Sequence, residues 1–255
     1  MGLADRERQL NILDLLQKRR TASVAFLARR FGVSGATIRR DLMKLQDRGH
    51  ITKTYGGAIV SPSTQSEFSH NQRLTRNIRE KQRIGKCAAE RIQPGSSIFL
   101  DSGTTALQIA ENLKERNLVT VVTNGLTIAQ TLGSSEGIQL YVVGGRYRPV
   151  SCDMVGPTLI AALRRFAVDI AFISVDGFDP EYGMSAADHA EAEVARAAMG
   201  IANQKIIIAD SSKGRKRAFA WICSISEIDG VISDTALSKQ VVEELTQAGV
   251  EVELV

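Results

Sequence analysis

From residue 97 onward, short runs rich in β-branched residues alternate with stretches whose apolar positions recur at helical spacing. The runs are Ser97 to Leu100, Val119 to Thr123, Gln139 to Val143, Asp169 to Val175, Lys205 to Ala209, Gly230 to Ser233 and Val250 to Val255. Helices are predicted between them at Thr105 to Glu115, Leu126 to Leu132, Pro157 to Phe166, Ala190 to Ala202 and Ser238 to Ala248. Parallel strands need a crossover long enough for a helix, and helices on both faces leave the strands buried and apolar. The rhythm therefore predicts an α/β fold with a mainly parallel sheet. A length of 255 residues, with 44% hydrophobic and 24% charged, allows one or two globular domains.

The first 60 residues follow a different pattern. Ile12, Leu13 and Leu16 make an apolar face on a stretch from about Arg6 to Arg20, and Val24, Leu27, Ala28 and Phe31 form a second face behind a potential N-cap, Ser23. After the turn Gly32-Val33-Ser34, Ser34 can cap a third helix running to about Asp47, with Ile38, Leu42 and Leu45 inward. Arg48, Gly49 and His50 stop it. The segments His50 to Tyr55 and Ala58 to Val60, joined through Gly56-Gly57, read as a small hairpin. From Ser61 to about Gln72 the chain turns to Ser, Pro, Thr, Gln and Asn, the composition of a linker. The expected division is 1–60, a linker at 61–74, and 75–255.

Charge separates the same two regions. Residues 1–60 hold twelve Lys and Arg against five Asp and Glu, a net +7, whereas the other 195 carry −3. Such an asymmetry suits a polyanion at one end. Two helices joined by a tight turn, then a hairpin, make a helix-turn-helix with a wing. At 100° per residue, Ala36, Thr37, Arg40 and Lys44 project away from the Ile38/Leu42/Leu45 face, with Arg39 flanking. Arg reads guanine or grips phosphate, Thr meets a base edge, and a helix N-terminus favours phosphate. Lys53, Thr54 and Tyr55 of the wing are placed against the DNA backbone.

The run Val33-Ser34-Gly35-Ala36-Thr37-Ile38-Arg39-Arg40-Asp41-Leu42, with Leu45, Gly49 and Tyr55-Gly56-Gly57-Ala58, closely resembles the DNA-binding signature of the DeoR family of bacterial transcriptional regulators. The resemblance implies that Ser34, Thr37, Arg39 and Arg40 lie on or near operator DNA and that Asp41 orients an arginine. Lys53 stands where the family more typically has Arg, keeping the charge without the bidentate fork.

In the larger region, Asp101-Ser102-Gly103-Thr104-Thr105 sits between a strand and a helix and can cradle phosphate or sugar hydroxyls; helix capping accounts for it equally. Thr123-Asn124-Gly125 and Gly144-Gly145 also follow apolar runs, as do Asp176-Gly177 and Asp210-Ser211-Ser212-Lys213. A lysine beside hydroxyls suits an anion. Ligands in such sheets bind at strand ends. With Glu80-Lys81 and Glu191, these loops also match, in order, the sensor domain of the DeoR family. The resemblance implies a fold similar to ribose-5-phosphate isomerase, glucosamine-6-phosphate isomerase and CoA transferases, and a phosphorylated sugar or related metabolite as effector. It departs from the family at Gly214-Arg215-Lys216, which replaces the usual aromatic-Gly pair.

The combined reading is a repressor of carbohydrate-metabolism genes, without catalytic residues, cofactor or metal, released from double-stranded operator DNA by its effector. DNA reading by so small a domain calls for a homo-oligomer, dimer or tetramer. An isomerase-like activity is the alternative, with Asp176, His189 and Glu191 as acid–base candidates; a constitutive DNA-binding protein whose large domain only oligomerises is a third. No GxSxG, HExxH, Walker A or paired-cysteine pattern points to another enzyme class. Cys87, Cys152 and Cys223 are expected to be reduced and buried, and no apolar run approaches the ~20 residues of a membrane span, so a cytoplasmic location is expected.

Overall fold

In the computed structural model, residues 8–9, 11–12, 15–16, 19, 21–47, 51–54, 56–60 and 69–255 are described. The chain divides into two units, Met1–Glu67 and Phe68–Val255.

In the first unit, the described residues between 8 and 19 are helical. They are followed by β1 (Thr21–Ser23), α1 (Val24–Phe31), α2 (Gly35–Asp47), β2 (Ile51–Thr54) and β3 (Gly57–Val60). Ser23 caps α1 by accepting from the Phe26 amide, and Gly32 ends that helix in the left-handed region at φ 64°. Ile12, Leu16, Leu27, Ile38, Leu42 and Leu45 meet in one core, as their spacing predicts. The hairpin gains a strand absent from the sequence reading: β1 pairs antiparallel with β3, giving the order β1-β3-β2. This explains the two glycines. Gly56 turns at φ 88°, and a Cβ on Gly57 would lie 2.4 Å from the Ala22 carbonyl oxygen across the sheet. The Arg48-Gly49-His50 stop, Tyr55 and residues 61–68 lie outside the described residues, as does the Lys53 side chain.

The second unit begins earlier than the sequence suggests. Ser69 and Gln72 form a capping box for α3 (His70–Thr75), so helix occupies the end of the expected linker. Next come α4 (Ile78–Glu90), β4 (Ser97–Leu100), α5 (Thr104–Leu113), β5 (Val119–Thr123), α6 (Leu126–Leu132) and β6 (Ile138–Val142). A hairpin of β7 (Arg146–Arg148) and β8 (Asp153–Val155) leads to α7 (Pro157–Leu163) and β9 (Val168–Ser174). After these are β10 (Gly177–Asp179), β11 (Gly183–Ala186), α8 (His189–Met199), β12 (Ala202–Ile208), β13 (Ala220–Cys223), β14 (Gly230–Ser233), α9 (Lys239–Gln247) and β15 (Glu251–Leu254).

Seven strands form one parallel sheet in the order β15-β14-β12-β9-β4-β5-β6. The period-2 geometry of a strand sends alternate side chains to opposite faces. Phe99, Ala171, Ile173 and Ile207 join the core under α7, α8 and α9. Ile98, Leu100, Ile170, Phe172, Ile206 and Ile208 join the one under α4, α5 and α6. The α/β architecture with a mainly parallel sheet is thus as the sequence implies, and β10, β11 and β13 add a small antiparallel sheet. Cys87 and Cys223 are buried and unbridged, whereas Cys152 is only half-buried, at a loop turn with φ 58°. Among the described residues no helix is long and apolar enough to cross a membrane.

Candidate functional site

Helix α2 separates a buried face from a basic one. Ile38, Leu42 and Leu45 are at most 3% exposed, while Ala36, Arg39 and Arg40 face solvent and Thr37 and Lys44 are half-buried. Ser34 fixes the start: its hydroxyl accepts from the Thr37 amide at 3.1 Å and lies 2.9 Å from the Thr37 hydroxyl. Among the described residues Arg39 and Arg40 make no ion pair, so their guanidinium groups stay available to an external anion. Asp41 turns inward instead, 2% exposed, accepting from Arg8 Nε at 2.7 Å and Gln9 Nε2 at 2.8 Å. It ties the first helical segment to α2. Met43, which the sequence reading passed over, is 52% exposed on the same outward face as Ala36 and Arg40. An exposed methionine there offers a soft apolar contact of the kind that suits a thymine methyl.

In the second unit the sheet topology locates a cleft. Strand β4 continues to β5 and β6 on one side, while β9, β12, β14 and β15 lie on the other. At such a switch point the loops leaving two neighbouring strands diverge and open a crevice. A cleft open at its mouth lies there, lined by Arg73, Asp101, Ser102, Gly103, Asn124, Asp153, Ser174, Val175, Asp176, Ala186, Glu191, Val194, Ala195 and Ile222.

Asp101 spans the switch point. One carboxylate oxygen accepts from the Ser102 amide at 2.7 Å, and the other from the Ser174 amide, at the end of β9, at 2.9 Å. Burial pushes the carboxyl up to about 6, against the pull of those two amides. Asp153, also raised by burial, accepts from Ser102 Oγ at 3.1 Å and from Ser151 Oγ at 2.5 Å. Arg148, 7% exposed, donates to Ser151 Oγ at 3.1 Å and pairs with both Glu191 and Asp188. Asn124 donates to the Met154 carbonyl at 3.0 Å. Among the described residues its Oδ1 and the Ser174 hydroxyl, both buried, have no hydrogen-bond partner. Left unsatisfied beside the cleft, these two buried atoms cost free energy.

The opposite end of the cleft is cationic. Asp176 lies 3.1 Å from Lys213 Nζ and 3.8 Å from Arg73 Nη1, and accepts from the Ala187 amide at 2.9 Å. Burial raises its pKa, but these cations and the amide outweigh burial and hold it below the usual carboxylate range. Lys81, 5% exposed, donates to the carbonyls of Arg73 at 2.6 Å and Arg76 at 2.7 Å, fixing the α3–α4 turn. Asn77, in the left-handed region at φ 51°, binds Asp210 at 2.8 Å and Ser212 at 3.3 Å. Burial and the cations Lys213, Arg73 and Arg76 bring Lys81 down to about 8, with Asp210 opposing.

Of the residues expected at the ligand site, Asp101, Ser102, Gly103, Asn124, Asp176 and Glu191 line the cleft. Lys213 and Asp210 lie behind them, Lys213 reaching the cleft through Asp176. Thr104 and Thr105 open α5 behind Gly103, and Thr123 is fully buried, accepting from the Gly125 amide. Gly144, Gly145 and Gly177 are not in the lining. A Cβ on Gly145 would meet the Val155 carbonyl at 2.6 Å, so close packing explains that glycine. The sequence reading missed Arg73, Arg148, Asp153 and Ser174. Ser174 lies inside the run Asp169 to Val175, while the others come from a segment read as linker or from a short hairpin. His189, considered for acid–base work, is 72% exposed on its side chain and 4.0 Å from Glu193.

The family model described as "DeoR-like helix-turn-helix domain" matches residues 8–64, and "DeoR C terminal sensor domain" matches residues 76–235. A putative aga operon transcriptional repressor from Escherichia coli O157:H7 is 35% identical, over 98% of this chain and 93% of the relative. The regulator GlpR of Haloferax volcanii is 32% identical over 96% of each. The glycerol-3-phosphate regulon repressor of Escherichia coli K12 is 29% identical, over 97% of this chain and 98% of the relative. Ribose 5-phosphate isomerase A from Methanocaldococcus jannaschii superposes with a TM-score of 0.41 at 19% identity, covering 54% of this chain and 55% of that one.

Proposed function

The chain belongs to the DeoR family of transcriptional regulators, and from that premise we propose that it represses carbohydrate-metabolism genes and leaves its operator when a phosphorylated sugar or sugar derivative occupies the switch-point cleft. The observation that carries this reading is the presence, in one chain, of a helix-turn-helix with a basic outward face and of a separate unit bearing a polar cleft. In the first, Ala36, Thr37, Arg39, Arg40 and Lys44 of α2 face the bases and phosphates, Ser34 sets the helix start, and Lys53 and Tyr55 belong to the wing. In the second, the amides at Gly103, Thr104 and Thr105 meet the phosphate with Arg73 and Lys213 nearby, while Asn124, Asp153 and Glu191 accept hydrogen bonds from hydroxyls.

The relatives are regulators by name, and the cleft favours binding over turnover. Asp101 and Asp153 are each held by two hydrogen bonds, Glu191 is tied to Arg148, and His189 is exposed on its own helix. The three acid–base candidates are engaged elsewhere: Asp176 with Lys213 and Arg73, Glu191 with Arg148, and His189 turned to solvent.

The test is selection of bound duplexes from a random library by the full chain, followed by titration of the complex with phosphorylated sugars and their unphosphorylated counterparts. Release by a phosphorylated compound that is recovered unchanged is the expected result. Consumption of that compound without effect on DNA binding would establish the isomerase-like alternative instead.

A further inference from the structure

The seven-stranded sheet of the second unit has two edges, and they differ in chemistry. At one edge β15 carries Glu251 and Glu253, and Arg91 of the segment after α4 pairs with both. Charges on an edge strand keep it from pairing with another chain. At the other edge β6 reads Ile-Gln-Leu-Tyr-Val, without charge or proline, and among the described residues no strand pairs with its outer side. Tyr141 and Val142 are 40% and 46% exposed there, so this edge is both open and apolar.

The ladder to β5 fixes which backbone groups face outward. The Val143 amide donates to the Thr123 carbonyl, and the Gly137 carbonyl accepts from the Val119 amide. Residues 137, 139, 141 and 143 therefore turn their polar backbone groups toward β5, and by alternation Ile138, Leu140 and Val142 present theirs to the free edge. Side chains alternate as well. Ile138 and Leu140 join the core under α4, α5 and α6. Tyr141 lies on the other face, edge-on to Phe166 with ring centroids 5.4 Å apart, and its hydroxyl accepts from Gln139 Nε2 at 2.9 Å. Opposite charges flank the strand: Glu136 before it and Arg146 after it, each five residues from Tyr141. Both are exposed, and among the described residues neither makes an ion pair.

We propose that a second copy of this chain docks on β6, strand against antiparallel strand about a two-fold axis at Tyr141, so that the two sheets become one. The edge is complementary to itself, as a two-fold contact requires. With the axis at Tyr141, Leu140 of each copy faces Val142 of the other, and because both present their backbone outward each such pair exchanges two hydrogen bonds. Tyr141 meets its own counterpart in the closer, non-hydrogen-bonded type of pair, where aromatic side chains stack best. Glu136 of each copy falls beside Arg146 of the other, at both ends of the contact. An axis at Leu140 would keep the backbone pairing but set Glu136 against Gly144. An axis between two residues would oppose outward groups to inward ones. Charge thus selects the register that the backbone allows. The interface lies beyond the operator and effector readings and depends on neither.

The test is sedimentation velocity on a dilution series of the full chain at low ionic strength, with neither DNA nor small molecule added. The wild type is expected to self-associate. Glu136→Arg and Arg146→Glu, which each set like charges together at both ends, should weaken association at least about fivefold, and the double exchange should restore it. The register has its own readout. With Cys152→Ser as background, Cys87 and Cys223 being buried, Tyr141→Cys should form a disulfide between copies on mild oxidation. Gln139→Cys should not, since its counterpart would lie four residues along the strand, about 13 Å away. A chain that stays monomeric would leave the edge to a different partner and overturn the proposal. So would association that the single reversals leave unchanged or the double exchange fails to restore, or equal cross-linking of the two cysteine variants. The regulatory reading fails separately, if no phosphorylated compound changes DNA binding.

Discussion

Lys81 shows how a single residue couples the cleft to the fold. Its ammonium is almost wholly buried and holds two carbonyls at the α3–α4 turn, and its pKa falls from 10.5 to about 8. Between those values the folded chain binds fewer protons at this site than the unfolded chain, so stability rises with pH through that window. The full gain for a shift of this size is about 3 kcal/mol, of which about 2 kcal/mol falls between pH 7.5 and 9.5. Urea unfolding at those two pH values should show the rise in the wild type, and its loss in Lys81→Met despite that variant's lower overall stability. Anion affinity should change in the opposite direction, weakening above pH 8 as Lys81 gives up the charge that helps attract the ligand. A parallel rise in stability and anion affinity would remove Lys81 from the cationic end of the cleft. Asp41 makes the complementary point in the first unit: a carboxylate inside the recognition motif serves the helix packing, and its arginine partner comes from 33 residues away.

At the scale of the element, α4 and α5 cross so closely that the usual helix-propensity argument should reverse. Gly85 lies within α4, where Gly→Ala ordinarily stabilises a helix by about 1 kcal/mol. Here a Cβ would sit 2.4 Å from Gln108 Cβ and 2.6 Å from the Gln108 carbonyl carbon on α5. Backbone cannot swing aside as a side-chain tip can, so Gly85→Ala is expected to destabilise by about 1–3 kcal/mol in chemical denaturation. A stabilised variant would mean that the two helices part more easily than their packing implies. The same pair of helices marks the limit of sequence reading. Buried strands such as Ser97–Leu100 and Val119–Thr123 were legible because short apolar or β-branched runs bounded by turn residues have few alternative fates. Helix α4 was not, because much of its inward face is Gly85, Cys87, Ala88 and Ala89, too small to form a visible apolar stripe. Strand β1 and the β7–β8 hairpin are three-residue strands, set by tertiary pairing rather than by local pattern. The cleft was legible in part for the same reason. Loops that follow buried strands could be found, but Arg73 and Asp153 reach it, and Arg148 backs Glu191, from elements with no signal of their own.

The whole molecule must turn a small ligand's binding energy into a change in DNA affinity. In the proposed operator complex the basic face of α2 would offer few base contacts, and a single helix-turn-helix supplies limited specificity, so the proposal calls for two copies on two half-sites. Paired copies impose a phase: half-sites must present the same face of the duplex, and about 10 bp of B-DNA returns to that face. Inserting 5 bp between half-sites of a selected operator should weaken binding strongly, and inserting 10 bp should recover much of it. The effector adds a second condition. It shifts the equilibrium only by its difference in affinity for the DNA-competent and released states, so a ligand equally tight on both would leave the operator occupied. Its action should therefore resemble mis-phasing, lowering affinity on the two-half-site duplex far more than on a single half-site, where no partner has to be aligned. Fluorescence anisotropy on the four duplexes, original, +5, +10 and single half-site, with and without the effector, measures both effects. Equal effector-induced loss on single and double sites would place the switch within each DNA-binding unit rather than in the pairing of two. Insensitivity to the 5-bp insertion would show that the copies read their half-sites independently.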